Sequence, residues 1–312
     1  MDVYLLSFDE ISYLCRKGTY YMAVDIHTVQ SQIENLENLG LTIEDKRKAE
    51  EILSDIGYYR LGFYCFPFEQ NFPAKQNRNH LFRSGTTFDT VVRLYYFDFD
   101  LRHLLMKYIS RIEVHLKTTI VNTMAKWQKN SDTWFVNDRI VSPGYTNSFD
   151  KVYDQVKLSP YIISHHHKHD CKYAPAHKTI EFMTLGNKID LISAINDVNI
   201  RLEIANEFGI RSLKTFESYL LAVKRIRNRC AHTGVLFDYS TAFPILEKGP
   251  VDLSYIYDRT NLNGAVKVIS YLVGQVSNNR KLDLYSELRG LIELTKDNND
   301  LYTAISICSG LK

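Results

Sequence analysis

Residues 87–126 read TFDTVVRLYYFDFDLRHLLMKYISRIEVHLKTTIVNTMAK. Leu94, Phe97, Leu101, Leu104, Tyr108, Ile112 and Leu116 recur at intervals of three and four, the spacing that lines one face of an α-helix. The stretch holds neither proline nor glycine, so the spacing predicts one long amphipathic helix. Asp98 and Asp100 alternate with Phe97 and Phe99 and are expected on its solvated side, without a metal role. Arg111 and Glu113 are two residues apart and do not face each other on a helix. Each therefore needs a partner elsewhere, with His115 one turn beyond Arg111 on the same face.

The same period runs through most of the chain. Helices are expected over about 27–38, stopped near Gly40, and from an N-cap at Thr42 to about Ile56. Glu44 and Asp45 fall in the first turn of the second helix and Gly57 closes it. Further helices are expected at about 149–170, 178–197, 199–207 and 212–230, with two or three more across 262–312. Residues 70–84 and 129–148 read as loops, Pro175 as a break, and Thr241 to Asp258, with Pro244 and Gly249-Pro250, as a looser connection. The aromatic run Tyr58–Phe68 has strand propensity, but Pro67 and its helical surroundings favour a short turn or helix start that plugs the core. Arg60 in its middle is expected to hold a carboxylate. The fold class is all-α. The expected organisation is an N-terminal extension (1–24), a main domain (25–245) and a C-terminal helical extension (250–312).

Composition narrows function mainly by exclusion. A net charge of +2 and a pI near 8.1 over 312 residues do not announce a nucleic-acid binder, so any basic surface must be local. The 21 tyrosines and 16 phenylalanines suit core packing first and base stacking second. Cys15, Cys65, Cys171, Cys230 and Cys308 are odd in number and scattered, which argues against a disulfide framework or thiolate zinc site and fits a reducing cytosol. No apolar run reaches the roughly 20 residues of a membrane span, and the opening MDVYLLSFDE lacks the basic start of a secretion signal. The expected location is the cytoplasm.

The chemistry concentrates in Arg227-Asn228-Arg229-Cys230-Ala231-His232, at the end of the helix 212–230. Phe216, Leu220, Val223, Ile226 and Cys230 form the expected buried stripe. Lys224, Arg225, Arg227 and Arg229 crowd the last turns. Cations at a helix C-terminus suit the helix dipole, so a purely structural role is the competing reading. On a continuous helix Arg227 and His232 would sit about 140° apart. Either the helix ends near Ala231 and His232 folds back, which Gly234 permits, or a second copy completes the site across a two-fold interface. A histidine can take the proton of a ribose 2′-OH or protonate the leaving 5′-oxygen. An arginine fork can hold the phosphate, and Asn228 can orient the histidine or bind the phosphate. With the 2′-OH as nucleophile no cofactor is required.

The string Arg-Asn-Arg-Cys-Ala-His resembles the RNxCAH signature of the abortive-infection Abi family, the AbiF/AbiD-like proteins of the HEPN superfamily. Ile56-Gly57-Tyr58-Tyr59-Arg60-Leu61, with Tyr64 and Pro67-Phe68, is similar to a second family segment. Phe88, Leu94-Tyr95, Phe97-Asp98, Leu101-Arg102 and Arg111-Ile112-Glu113-Val114 resemble a third, and Pro175, Ile180-Glu181 and Gly186 a weaker fourth. The resemblance covers about residues 25–240. Where members often continue with a further basic or polar residue after the histidine, this chain reads Thr233-Gly234-Val235-Leu236-Phe237. The resemblance implies a HEPN-type helical bundle with additional N- and C-terminal helices and a phage-defence or toxin-like endoribonuclease. It implies a homodimer with a composite site and an RNA substrate, with a small RNA or a protein as antitoxin. Carried over by position, Arg227 and His232 are catalytic and Asn228 supports them. Arg229, Lys224, Arg225, Arg111, Glu113, Tyr59 and Arg60 are RNA-binding or supporting. The alternative is a non-catalytic HEPN scaffold that binds RNA or protein.

His165, His166, His167 and His169 with Asp170 have helical ligand spacing at 165 and 169, but no third ligand has its own spacing signal. The expected reading is a solvated, histidine-rich loop and no metal site.

Overall fold

A computed structural model describes residues 28–74, 76–127, 131–241, 246–253 and 259–312. The N-terminal extension and residues 242–245 and 254–258 of the looser connection, including Pro244 and Asp258, lie outside the described residues. The protein is all-helical. Among the described residues strand pairing is limited to isolated bridges such as Glu69 with Phe82.

The chain forms two compact units, residues up to 91 and residues 92–312. In the first, α1 (Val29–Asn38) and α2 (Lys46–Ile56) pack through Ile33, Leu36, Ala49 and Leu53. Thr28 and Ser31 cap α1 reciprocally, a stable solution for its first free N–H groups. The cap of α2 is Asp45, which accepts from the Lys48 N–H at 3.0 Å. The expectation of Thr42 is corrected here: its backbone instead pairs with Thr86 and Phe88. Gly57, at φ +86°, turns the chain into α3 (Tyr58–Gly62), followed by a 3-10 turn at Phe66–Phe68. The aromatic run is therefore split. Leu61, Tyr64 and Phe68 fill the core, whereas Tyr59 and Phe63 stay exposed, because positions four apart share the outer face of one turn. Arg60 rests on Tyr64, 3.4 Å from its hydroxyl, and among the described residues it has no carboxylate. That expectation is corrected too: half-buried, Arg60 keeps enough solvent to need none.

The second unit takes up the long helix α4 (Phe88–Trp127) from Val92 onward. All seven residues of the predicted stripe are buried. The expected helix at 149–170 breaks in two, α6 (Phe149–Val156) and α7 (Pro160–His166), after the short α5 (Pro143–Thr146). Pro160 opens α7, where its missing N–H costs nothing. The segment 178–197 likewise divides at Met183 and Thr184 into α8 (Ala176–Phe182) and α9 (Leu185–Ala194). The Thr184 side chain caps α9 by accepting from the Asn187 N–H at 3.1 Å. Then follow α10 (Val198–Asn206), α11 (Leu213–Ala231), α12 (Leu262–Val276), α13 (Asn278–Glu293) and α14 (Asn299–Ser309). Helix α11 packs against α9, α10 and α12, and α12 against α13. Lys107 and Tyr108 of α4 both reach Glu287 of α13, at 2.7 and 2.8 Å.

Candidate functional site

The site grows from the end of α11. Ser212 caps its start by accepting from the Thr215 N–H. Phe216, Leu220, Val223 and Ile226 are buried, while Cys230 is only half-buried, a small departure from the expected stripe. Burial still pushes the Cys230 thiol up to about 12, so it is an inert thiol. The helix ends at Ala231. His232 is its C-cap, donating its N–H to the Asn228 carbonyl at 3.0 Å.

The turn beyond is an αL-type stop, with roles differently assigned than expected. Thr233, not Gly234, takes the left-handed conformation, at φ +54°. Gly234 donates its N–H to the Arg229 carbonyl at 2.8 Å, and a Cβ there would press on Arg229 at 3.4 Å. A β-branched residue at positive φ is strained, so surrounding contacts must hold this turn in place.

Asp98 and Arg102 of α4 supply them. Asp98 is fully buried, pairs with Arg102 one turn on, and accepts the N–H groups of Leu236 and Phe237 at 2.9 and 2.6 Å. Arg102 reaches the Gly234 carbonyl at 3.4 Å. Asp98 on a solvated face is therefore corrected. The buried face of α4 is wider than the seven-residue stripe, and the i,i+4 cation makes a buried carboxylate tolerable.

Arg227 projects back toward α4. Its Nε donates to Glu113 at 3.2 Å, with both side chains largely but not wholly covered. Among the described residues its two terminal nitrogens have no hydrogen-bond partner. Asn228 and His232 are exposed, and neither side chain is hydrogen-bonded among the described residues. Lys224, one turn before Arg227, lies over Gly186, where a Cβ would come within 2.9 Å of its Nζ. Arg225 and Arg229 are engaged elsewhere: Arg225 with the Thr241 hydroxyl at 3.3 Å, Arg229 with the Val235 carbonyl and the Tyr239 ring. Glu113 thus finds its partner in Arg227, whereas Arg111 is exposed and unpaired among the described residues. His115 is half-buried against Phe208. Tyr59 and Arg60 belong to the first unit.

Two residues of this region, Lys188 and Lys117, carry no motif in the sequence. Lys188 is buried, donates to the Met183 carbonyl at 2.6 Å, and has its pKa lowered by burial against the opposing pull of Glu113. Lys117 pairs with Glu181. The signal that could have found them is Gly186: a glycine one position into α9 marks close approach of another element, here Lys224. With it come Glu181 and Lys188 on either side.

The family model described as Abi-like protein matches residues 51–238. The chain belongs to the Abi-like protein family. No curated protein and no solved structure matches it. Membership ties this Abi-like protein to abortive infection, a phage-defence role, and is compatible with a nuclease-like effector. The matched span takes in Glu113, Glu181, Gly186 and the whole motif from Arg227 to His232, which the fold of the Abi-like protein gathers at one end of α11. Among its described residues no helix is long and apolar enough to cross a membrane.

Proposed function

We propose that this Abi-like protein is a metal-independent endoribonuclease of the HEPN class, acting as an abortive-infection effector. The observation that carries the reading is the division of labour at the end of α11. Arg227 is held by its Nε while its terminal nitrogens have no hydrogen-bond partner among the described residues, and His232 stands exposed on the cap of the same helix. The fork binds the scissile phosphate and stabilises charge as it develops. His232 takes the 2′-OH proton or delivers one to the leaving 5′-oxygen. Asn228, exposed beside Arg227, orients the histidine or adds a phosphate contact, and Lys224 extends the positive surface by one turn. Arg225 and Arg229, occupied as described, hold the segment that follows the motif. The products are a 2′,3′-cyclic phosphate and a 5′-hydroxyl.

Within one chain His232 and Arg227 share no hydrogen bond. A homodimer that brings two motifs together completes the site. A nuclease acting inside its own cell needs restraint, supplied by a small RNA or a protein antitoxin. A matched pair of oligonucleotides tests the mechanism. The RNA strand is cut, while its all-deoxy counterpart and an RNA with 2′-deoxy sugars at the mapped cleavage positions stay intact. Cutting of the deoxy strands contradicts the proposal. Equal retention of RNA by the wild type and His232→Ala, with no cutting by either, favours a binding scaffold.

A further inference from the structure

In the histidine cluster of the second unit His167, His169 and Asp170 are exposed, as a solvated loop requires, but His165 and His166 are not. His165 and His166 close α7, His165 is buried, and both rings turn toward Cys171. The sulfur lies 3.6 Å from His165 Nε2 and 3.8 Å from His166 Nδ1, hydrogen-bond range for sulfur.

The far side of each ring decides where its proton sits. Lys178 Nζ approaches His165 Nδ1 at 3.1 Å. An ammonium can only donate, so Nδ1 accepts and the His165 proton is on Nε2, facing the sulfur. Tyr153 already accepts the Ala174 N–H at 2.7 Å. Its own hydroxyl proton is therefore left to donate to His166 Nε2, 2.8 Å away, which puts the His166 proton on Nδ1, again facing the sulfur. Two N–H groups thus converge on Cys171. The same assignment argues against a metal, because a proton on Nε2 blocks His165 as a ligand. Among the described residues no group of three such side chains has ligand geometry.

Cys171 is exposed and opens onto a cavity of about 600 Å³ walled by Asp150, Lys157, His169 and Tyr173. By contrast, burial pushes the Cys65 and Cys230 thiols up to about 12. We propose that Cys171, between His165 and His166, is a peroxide-reactive cysteine and an oxidation site of this protein. The sulfur gives up its proton to solvent and attacks one peroxide oxygen, and an S–O bond forms as the O–O bond breaks. Cys171 loses two electrons and becomes a sulfenic acid. The second oxygen leaves as hydroxide and takes a proton from solvent.

The test exposes the full-length protein to substoichiometric hydrogen peroxide with dimedone and maps the adducts by mass spectrometry. Cys171 is expected to be labelled at least about tenfold faster than Cys65, Cys230 or Cys308. His165→Asn and His166→Asn should slow that labelling, with circular dichroism showing the fold retained. Should either variant unfold, Lys178→Met, which frees the His165 tautomer, takes its place with the same expectation. Labelling of Cys171 no faster than of Cys308, or unchanged in the variants, overturns the proposal. So does tight one-to-one zinc binding that Cys171→Ser abolishes, which would make the cluster a metal site.

Discussion

Glu113 and Arg227, 114 residues apart, meet at 3.2 Å through the guanidinium Nε. The contact ties the motif helix to the long helix through Nε and leaves the terminal nitrogens of Arg227 without a hydrogen-bond partner among the described residues. Arg227 is thereby aimed as well as present, and the aim comes from a carboxylate.

Replacing Glu113 should therefore separate activity from stability. The pair is partly solvated, so Glu113→Gln is expected to cost only about 0.5–1 kcal/mol. RNA cleavage should fall about 10- to 100-fold, because a misplaced phosphate-binding group loses far more than its contact energy. Thermal unfolding beside a cleavage assay checks both. Equal small losses in the two would show that Glu113 does not position Arg227.

Asp98 should behave in the opposite way. It is fully buried and bonded to Arg102 and to two backbone N–H groups. Asp98→Ala removes the carboxylate that pairs with the buried Arg102 guanidinium and accepts two backbone N–H groups, and should cost about 3–5 kcal/mol. Denaturant unfolding reads this directly, and a loss below about 1 kcal/mol would contradict the anchoring role.

Thr233 holds a left-handed conformation that glycine adopts freely. Thr233→Gly is expected to leave stability unchanged or raise it by up to about 1 kcal/mol. The looser turn should lower cleavage by weakening the placement of His232. A clear loss of stability would show that the threonine side chain carries a contact of its own.

The packing of α13 on α4 should show in acid. Hydrogen bonds from Lys107 and then Tyr108 hold the Glu287 carboxyl below the usual carboxylate range. A depressed folded pKa contributes stability that is present above the unfolded value of roughly 4.3 and is lost as pH falls through the folded value. Glu287→Gln should flatten the fall in stability below about pH 4.3 and leave its slope above pH 6 unchanged. Identical acid profiles would exclude this contribution.

Much of the fold was legible because period and punctuation agreed. The stripe from Leu94 to Leu116, the closing Gly57 and the start of α11 each rested on local rules. Misreadings arose where tertiary contacts override a local pattern. Asp98 looked solvated because charge was read without its partner one turn on. Thr42 lost its capping role to Asp45 because its backbone pairs with Thr86 and Phe88 instead. Tyr59 and Phe63 looked like core because composition does not say which way a one-turn helix faces. At the site, the motif residues stood out in the sequence, but the arrangement around them did not. Glu113 on Arg227, Gly186 under Lys224 and Lys188 between them depend on three helices meeting, which no spacing within one segment encodes.

The most direct test of the central claim compares purified wild type with His232→Ala on total RNA in excess EDTA, with the ends of the fragments analysed. Cleavage by the wild type alone, leaving 2′,3′-cyclic phosphate and 5′-hydroxyl ends, is the expected result. Cleavage by both proteins, or cleavage that EDTA abolishes, would contradict it.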